Sequence, residues 1–231
     1  VDGETLTYSI TGSSGGNYES LDTSDTVDVV VSDDPLGGVT VDLTATASLV
    51  EGNDITYTAT LTGGTAGNDI TVTLANGETI TIEAGQTSGS TTTATRVDEE
   101  YIQGTATITN SITNVVETGD AAPQLESVAA AADTSVSTSV TDDADVSTVT
   151  LSSSDVNEGE AITVTATVDN APQTTDLVLT LNNGETITIV AGATQGSVTF
   201  ANPNGADNVV DGETLTYSIT GSSGGNYESL D

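Results

Sequence analysis

The chain contains no cysteine, histidine, methionine or tryptophan, and its 231 residues include one basic side chain, Arg96. Each absence removes a class of chemistry. Without histidine or cysteine there is no Ser-His-Asp triad, no thiol nucleophile and no Cys/His zinc site. Without lysine there is no Schiff base and no phosphate-loop lysine. One arginine cannot supply the basic surface that a phosphate backbone requires, so nucleic acid is excluded as a partner. No apolar run approaches the ~18–20 residues of a membrane-spanning helix, and the start, Val1-Asp2-Gly3-Glu4, has no signal-peptide pattern. We therefore expect a segment internal to a longer protein, or export by a signal elsewhere. What is present is acid: 35 Asp and Glu, for a formal net charge of −34. So acidic a chain invites a reading of disorder. However, 35% of it is hydrophobic, dominated by Val and Ile among Thr and Ser, with 24 Gly and only 4 Pro. That is the composition of β-sheet with many turns.

Repetition organises the chain. Residues 1–22 recur unchanged at 210–231, a period of 209. A diverged repeat at an offset of 107 lies within it. Glu51-Gly52 matches Glu158-Gly159, Asn76-Gly77 matches Asn183-Gly184, and Ile108 onward matches Leu215 onward. Ser32-Asp33-Asp34 and Thr141-Asp142-Asp143 close equivalent strands. The expected organisation is a complete domain at 35–143 and a second at 144–231 that lacks its last strand. Residues 1–34 then carry the last two strands of a preceding copy, so the whole reads as a slice of a tandem array.

Alternation of apolar and polar residues marks seven strands in the complete domain, at 39–47, 54–61, 69–74, 78–83, 89–95, 104–112 and 135–141 (A to G). Asn76-Gly77 is a hairpin turn, favoured because both central positions need positive φ. Val128–Ala132 is the one stretch with any helical character. Seven short strands with frequent turns predict an all-β fold of tandem immunoglobulin-like seven-stranded sandwiches in an elongated array.

In such a sandwich successive loops alternate between poles. The A–B loop, C–D turn, E–F loop and the end of strand G then share one pole. They carry Glu51, Asn76, Asp98, Glu99, Glu100, Asp142 and Asp143, with Asp145 following in the linker. The second domain offers Glu158, Asn183 and Asp207 at matching positions, and Asp33 with Asp34 show the acid pair that closes such a domain. Carboxylates crowded at one pole repel unless compensated. An oxygen-only donor set suits Ca²⁺, which takes 6–8 such ligands. The other reading is a solvated acidic surface, since acids gather in loops anyway. No EF-hand loop is present, so a site has to be assembled from separate loops.

The Glu-Gly pair, the N-G-E-T-I-T-I-x-A-G-x-x-x-G-S stretch, D-x-x-x-D-G-E-T-L-T-Y-S-I-T and the closing S-D-D resemble Calx-β and bacterial immunoglobulin-like repeats. In particular they resemble the extender repeats of the giant repeats-in-toxin adhesins. The resemblance covers the whole chain and implies a secreted, cell-surface stalk whose Ca²⁺-loaded domains hold an adhesive tip outward and support biofilm formation. By position it assigns ligands to Glu51, Asp98, Glu99 or Glu100, Asp142 and Asp143. Asn76 and Asn183 depart from the Asp usual at the C–D turn, and the second domain has fewer acids before strand F. Both departures imply fewer or weaker ions at some junctions.

Arg96 precedes Asp98-Glu99-Glu100 and is read as an internal counter-ion or as a solvated strand end. Tyr8, Tyr57, Tyr101, Tyr217 and Phe200 are expected in the cores, and Tyr18 and Tyr227 at domain contacts. A glycosidase pair would need a cleft lined by aromatics, which make up only 3% of the chain, so no enzymatic activity is expected. Partners are then neighbouring repeats or head-to-tail copies. Two alternatives stay open, a carbohydrate- or protein-binding module and adaptation to high salt. Residues 26–32 are expected to complete the C-terminal domain of a neighbouring copy in a fibre, an expectation that pairing within their own chain would refute.

Overall fold

The computed structural model describes residues 4–32, 38–119, 125 and 127–231, and these contain strands and turns with no helix. Strands β1 (Glu4–Ser9) and β2 (Thr26–Val31) open the chain. They are followed by β3 (Val39–Ala45), β4 (Ser48–Val50), β5 (Asp54–Thr62), β6 (Asp69–Leu74), β7 (Thr79–Ile82) and β8 (Ser88–Ala94). Next come β9 (Ala106–Asn110), β10 (Ile112–Thr118), β11 (Val128–Ala130) and β12 (Val136–Thr141). The last stretch holds β13 (Val146–Ser147), β14 (Val149–Ser153), β15 (Ile162–Val168) and β16 (Leu177–Leu181). It ends with β17 (Thr186–Ile189), β18 (Gln195–Phe200), β19 (Ile219–Ser223) and β20 (Ser229–Leu230). The all-β expectation holds, in sheets of two to four strands arranged as in β-sandwiches.

Two compact units emerge. Unit 1 combines 1–46, 55–93 and 109–138, and unit 2 combines 47–54, 94–108 and 139–231. In unit 1, sheets β11-β3-β5-β8 and β10-β6-β7 carry the core. Strand β5 alternates strictly, with Ile55, Tyr57, Ala59 and Leu61 buried and threonines outward, because period-two patterning sends alternate side chains to one face. Burying each large side chain stabilises by about 1.5–3 kcal/mol. In unit 2, sheets β14-β15-β18 and β17-β16-β19 enclose Val164, Ala166, Leu177, Leu179, Ile187 and Ile189. Both Asn-Gly hairpins form, but only their glycines take positive φ (Gly77 +89, Gly184 +90); Asn76 and Asn183 do not, contrary to the expectation for both central positions.

The expected strand A divides into β3 and β4, which have different neighbours. β3 lies beside β5, whereas β4 runs parallel to β12 with Ser48 opposite Ser139. The expected strand F divides at Ser111 for the same reason, β9 joining β12 and β10 joining β6, and it continues to Thr118. Val128–Ala130 is a strand, parallel to β3, and not helical. A strand placed against β3 satisfies more backbone groups than one isolated turn of alanines could.

The repeated 22 residues fold in two ways. Residues 4–9 form β1 and pair with β2, while the identical 213–218 form no strand. Conversely, 219–223 form β19 against β16, whereas the identical 10–14 form none. Each copy forms strand only in the half that lies paired with another strand. The β1–β2 pairing, with Leu6 opposite Val29, also corrects the expectation that residues 26–32 are reserved for a neighbouring copy. Within the chain a connection of 16 residues, 10–25, brings β2 to β1, and loop-closure cost grows only slowly with length.

Tyr57 and Tyr101 are buried as expected, and Phe200 packs edge-on against the half-buried Tyr217 at 5.1 Å. Tyr8 does not enter a core; it is 57% exposed on β1, which has no sheet behind it.

Candidate metal centre

Three loops of unit 2 bring acids together around Arg96. The turn after β4 is held by the Glu51 amide donating to the Thr141 carbonyl (2.9 Å) and the Gly52 amide donating to the Arg96 carbonyl (3.1 Å). Gly52 sits at φ +71, and a β-carbon there would press on the Asp98 side chain, so both the backbone and the space call for glycine. This turn sets Glu51 facing inward at 1% exposure.

The Arg96 guanidinium uses all of its faces. Its Nε donates to Glu51 Oε2 at 2.6 Å, its Nη1 to the Gly104 carbonyl at 2.7 Å, and its Nη2 to Asp142 Oδ1. Asp142 Oδ2 in turn accepts the Gly104 amide at 2.7 Å and the Gln103 amide at 3.1 Å. Of the two readings of Arg96, the internal counter-ion is the one the structure bears out.

One guanidinium faces five carboxylates. Glu51, Asp142 and Glu228 form one group with ligand atoms within 4.8 Å of one another, and Glu51, Asp98 and Asp143 form another. At that separation each like-charged pair costs roughly 3–4 kcal/mol at an effective dielectric of 20. Two oxygens in the first group, Glu51 Oε1 and Glu228 Oε1, are buried without a hydrogen-bond partner. Burial pushes the Glu228 carboxyl above its ordinary value, and the nearby Glu51, Asp142 and Asp143 add to the shift. Asp145 is raised in the same direction by desolvation and by Asp143, Asp98 and Glu100, while its amide donates to Glu228 Oε2 at 2.9 Å.

The structure gathers Glu51, Asp98, Asp142 and Asp143, with Asp145 beside them. Glu99 and Glu100 are outside both ligand groups; the Glu100 carbonyl accepts the Glu228 amide at 3.1 Å. Asn76 also stays apart, bonding to Thr93, Asn110 and Glu78. Glu158 and Asp207 come together with Asp211, a residue the sequence reading passed over. Glu228 was passed over as well. It follows Tyr227 in the repeated segment, and only its second copy meets other acids. Asp33 and Asp34 lie outside the described residues.

A tyrosine clasp fixes the loop that carries these groups. Tyr101 and Tyr227 face one another across an antiparallel bridge with ring centroids 5.5 Å apart. Their hydroxyls donate to the carbonyls of Ala171 (2.7 Å) and Asn170 (2.5 Å). Both rings belong to the buried cluster of unit 2, and desolvation pushes the Tyr227 phenol up to about 12. Tyr227, expected at a domain contact, instead belongs to the buried cluster of unit 2, whereas the identical Tyr18 is 71% exposed.

The family model described as the LapA domain matches residues 38–143 and again 145–231. No curated protein sequence matches the chain.

Proposed function

The chain belongs to the adhesin-related LapA domain family, and from that membership together with the acid cluster we propose that it is a structural spacer of a bacterial surface adhesin or extracellular filament, stiffened by Ca²⁺ and supporting adhesion and biofilm formation. This is the finer form of the likeness to Calx-β and repeats-in-toxin extender repeats, in tandem immunoglobulin-like domains at 35–143 and 144–231. Its partners are further repeats of the same kind, its place is the cell surface, and it carries no catalysis.

The observation that carries the calcium reading is the pair of buried, unpartnered oxygens, Glu51 Oε1 and Glu228 Oε1, in a cluster of excess negative charge. A buried acceptor without a donor is costly, and a cation bound there removes that cost. The donors are all oxygens, the set a hard cation prefers. Glu51, Asp142 and Glu228 would hold the ion, with Asp98 and Asp143 on the exposed side; Glu158, Asp207 and Asp211 offer a second set. Bound Ca²⁺ would supply positive charge that draws together three loops of separate sequence origin. Stiffness, not turnover, is the chemical product of such a site.

The test is the unfolding temperature with EGTA, with millimolar Ca²⁺, and with molar NaCl. Stabilisation by Ca²⁺ at low millimolar concentration supports the proposal. A response to NaCl alone would show salt adaptation and sink the calcium clamp.

A further inference from the structure

An oxidant meeting this chain finds few targets. Cysteine, methionine, tryptophan and histidine, the side chains most readily oxidised besides tyrosine, are all absent, which leaves six tyrosines. Two of the six face each other. Tyr101 and Tyr227 form an antiparallel bridge in unit 2. It is flanked by the Glu228 amide donating to the Glu100 carbonyl (3.1 Å) and the Ile102 amide donating to the Asn226 carbonyl (2.9 Å). That pattern makes them a non-hydrogen-bonded pair, the kind in which opposed side chains stand closest. Their ring centroids are 5.5 Å apart and the ring planes are only 30° from parallel.

Both hydroxyls point the same way. They donate to the carbonyls of consecutive residues, Ala171 and Asn170, so the ring carbons ortho to them lie at the same end of the pair. The loop makes room for this arrangement. Gly225 sits at φ +82, and a β-carbon there would run into the Tyr227 ring. Gly16 stands in the same relation to Tyr18, yet that ring is 71% exposed and Tyr227 is 8% exposed. The local loop is the same in both copies; it is Tyr227 that is set against a second phenol.

We propose that Tyr101 and Tyr227 are a site of oxidative cross-linking, at which a dityrosine bond locks the loop of residues 98–103 to the loop of 224–228. The oxidant is hydrogen peroxide, acting through the one-electron steps of a haem peroxidase. Each phenol loses one electron to the oxidant and one proton to solvent, and the peroxide is reduced to two waters. The two radicals, each with spin density on the carbons ortho to oxygen, form one carbon–carbon bond between Cε positions. Each bonded carbon then sheds its hydrogen as a proton while the ring oxygen regains one. The product has lost two hydrogens and keeps both hydroxyls, so the carbonyls of Asn170 and Ala171 keep their donors. Coupling within the chain is favoured because the two rings are already in place. The inference does not depend on a bound cation.

The test treats the 231-residue chain with hydrogen peroxide and a haem peroxidase in EGTA. The chain carries Tyr8→Phe and Tyr18→Phe, which removes two exposed phenols. Expected are the blue fluorescence of dityrosine, a monomer lighter by two hydrogens, and a yield per chain that does not change with chain concentration. Cleavage after glutamate should release residues 101–117 joined to 214–228. Adding Tyr227→Phe abolishes that species, although Tyr217 remains in the same fragment, and adding Tyr101→Phe does likewise. Adding Tyr57→Phe leaves it. The bond closes a loop of more than a hundred residues and should raise the unfolding midpoint of unit 2 by about 10–20 °C. Dityrosine formed only between chains, the two fragments released separately, or a joined species that survives Tyr227→Phe would each overturn the proposal. So would a linked chain with an unchanged midpoint, since no lock would then exist.

Discussion

Replacing Arg96 with glutamine removes the single fixed positive charge from the acid cluster while keeping much of the side chain's volume. Glu51, whose side chain is fully buried, then loses its partner, and Asp142 loses its only cationic contact among the described residues. Removing one partner from a buried pair typically costs 3–5 kcal/mol. The Arg96 side chain is 18% exposed, so water reaches one side of the guanidinium and a loss of about 2–4 kcal/mol is the working figure. Unit 2 comprises roughly 115 residues, and at about 2.1 cal/mol/K per residue, a loss of ~3 kcal/mol lowers its midpoint by about 12 °C. The assay is thermal unfolding in EGTA, followed by far-UV circular dichroism and by tyrosine fluorescence, which no tryptophan obscures. Arg96→Lys should recover part of the loss, since it restores charge but not the fork that reaches Glu51, Gly104 and Asp142 together. The double variant Arg96→Gln/Glu51→Gln should lie closer to wild type than Arg96→Gln alone. Millimolar Ca²⁺ should raise Arg96→Gln by more degrees than it raises wild type, because a metal ion can take over the guanidinium's role. A midpoint for Arg96→Gln within about 2 °C of wild type would refute the reasoning, leaving a surface pair of the ordinary weak kind.

Other expectations concern acidity, the clasp and the turn. Glu228 and Asp145 hold their protons more tightly folded than unfolded, so their contribution is present at low pH and lost as pH rises above the ordinary values of 4.5 and 3.8. Without metal, raising the pH through the range just above those values should lower the midpoint, and any Ca²⁺ effect should grow over the same range. Tyr101→Ala should cost about 3–5 kcal/mol in chemical denaturation, and Tyr101→Phe about 1 kcal/mol for the lost bond to the Ala171 carbonyl. Gly77→Ala, at φ +89 with nothing in reach of a β-carbon, should cost about 1–2 kcal/mol through its left-handed backbone alone, and Gly52→Ala should cost more, because its β-carbon also presses on Asp98.

Much of the fold was legible because period-two patterning in β5, β6 and β7 comes from burial on one face, which the sequence records residue by residue. The division of strand F at Ser111 was not. It is decided by which partner lies alongside, and no residue at 104–118 marks a change of neighbour. The repeated 22 residues make the same point, since identical side chains form β1 in one place and no strand in the other. In the site, Glu51, Asp98, Asp142 and Asp143 were found by the rule that alternate loops share a pole. The same rule misplaced Asn76, whose side-chain amide accepts the Glu78 N–H of its own turn and donates to Thr93, while its backbone N–H donates to Asn110. Glu228 escaped because its approach to Glu51 depends on the Tyr101–Tyr227 clasp, a pairing across more than a hundred residues that composition and spacing do not encode. Tyr8 was wrongly given a core position, since alternation shows which side is apolar but not whether another sheet covers it.

The short parallel pairs carry a mechanical consequence. Val146 and Ser147 run parallel to Ser229 and Leu230, and Ser48–Val50 run parallel to Ser139–Thr141. Ser48–Val50 lies in the expected first strand of the repeat at 35–143 and Ser139–Thr141 in its last, while Val146–Ser147 opens the following repeat. Tension applied to the chain on either side pulls two such strands past each other along their length. Their hydrogen bonds are then loaded in shear, all at once, whereas a hairpin under the same load peels open one rung at a time. Only two or three residues on each strand form such a clamp, yet every rung in it has to fail together before the sheets behind it feel the force. The resistance of the repeat to extension is therefore set at these small seams, and an optical-trap trace should report one abrupt rupture per seam instead of a gradual lengthening.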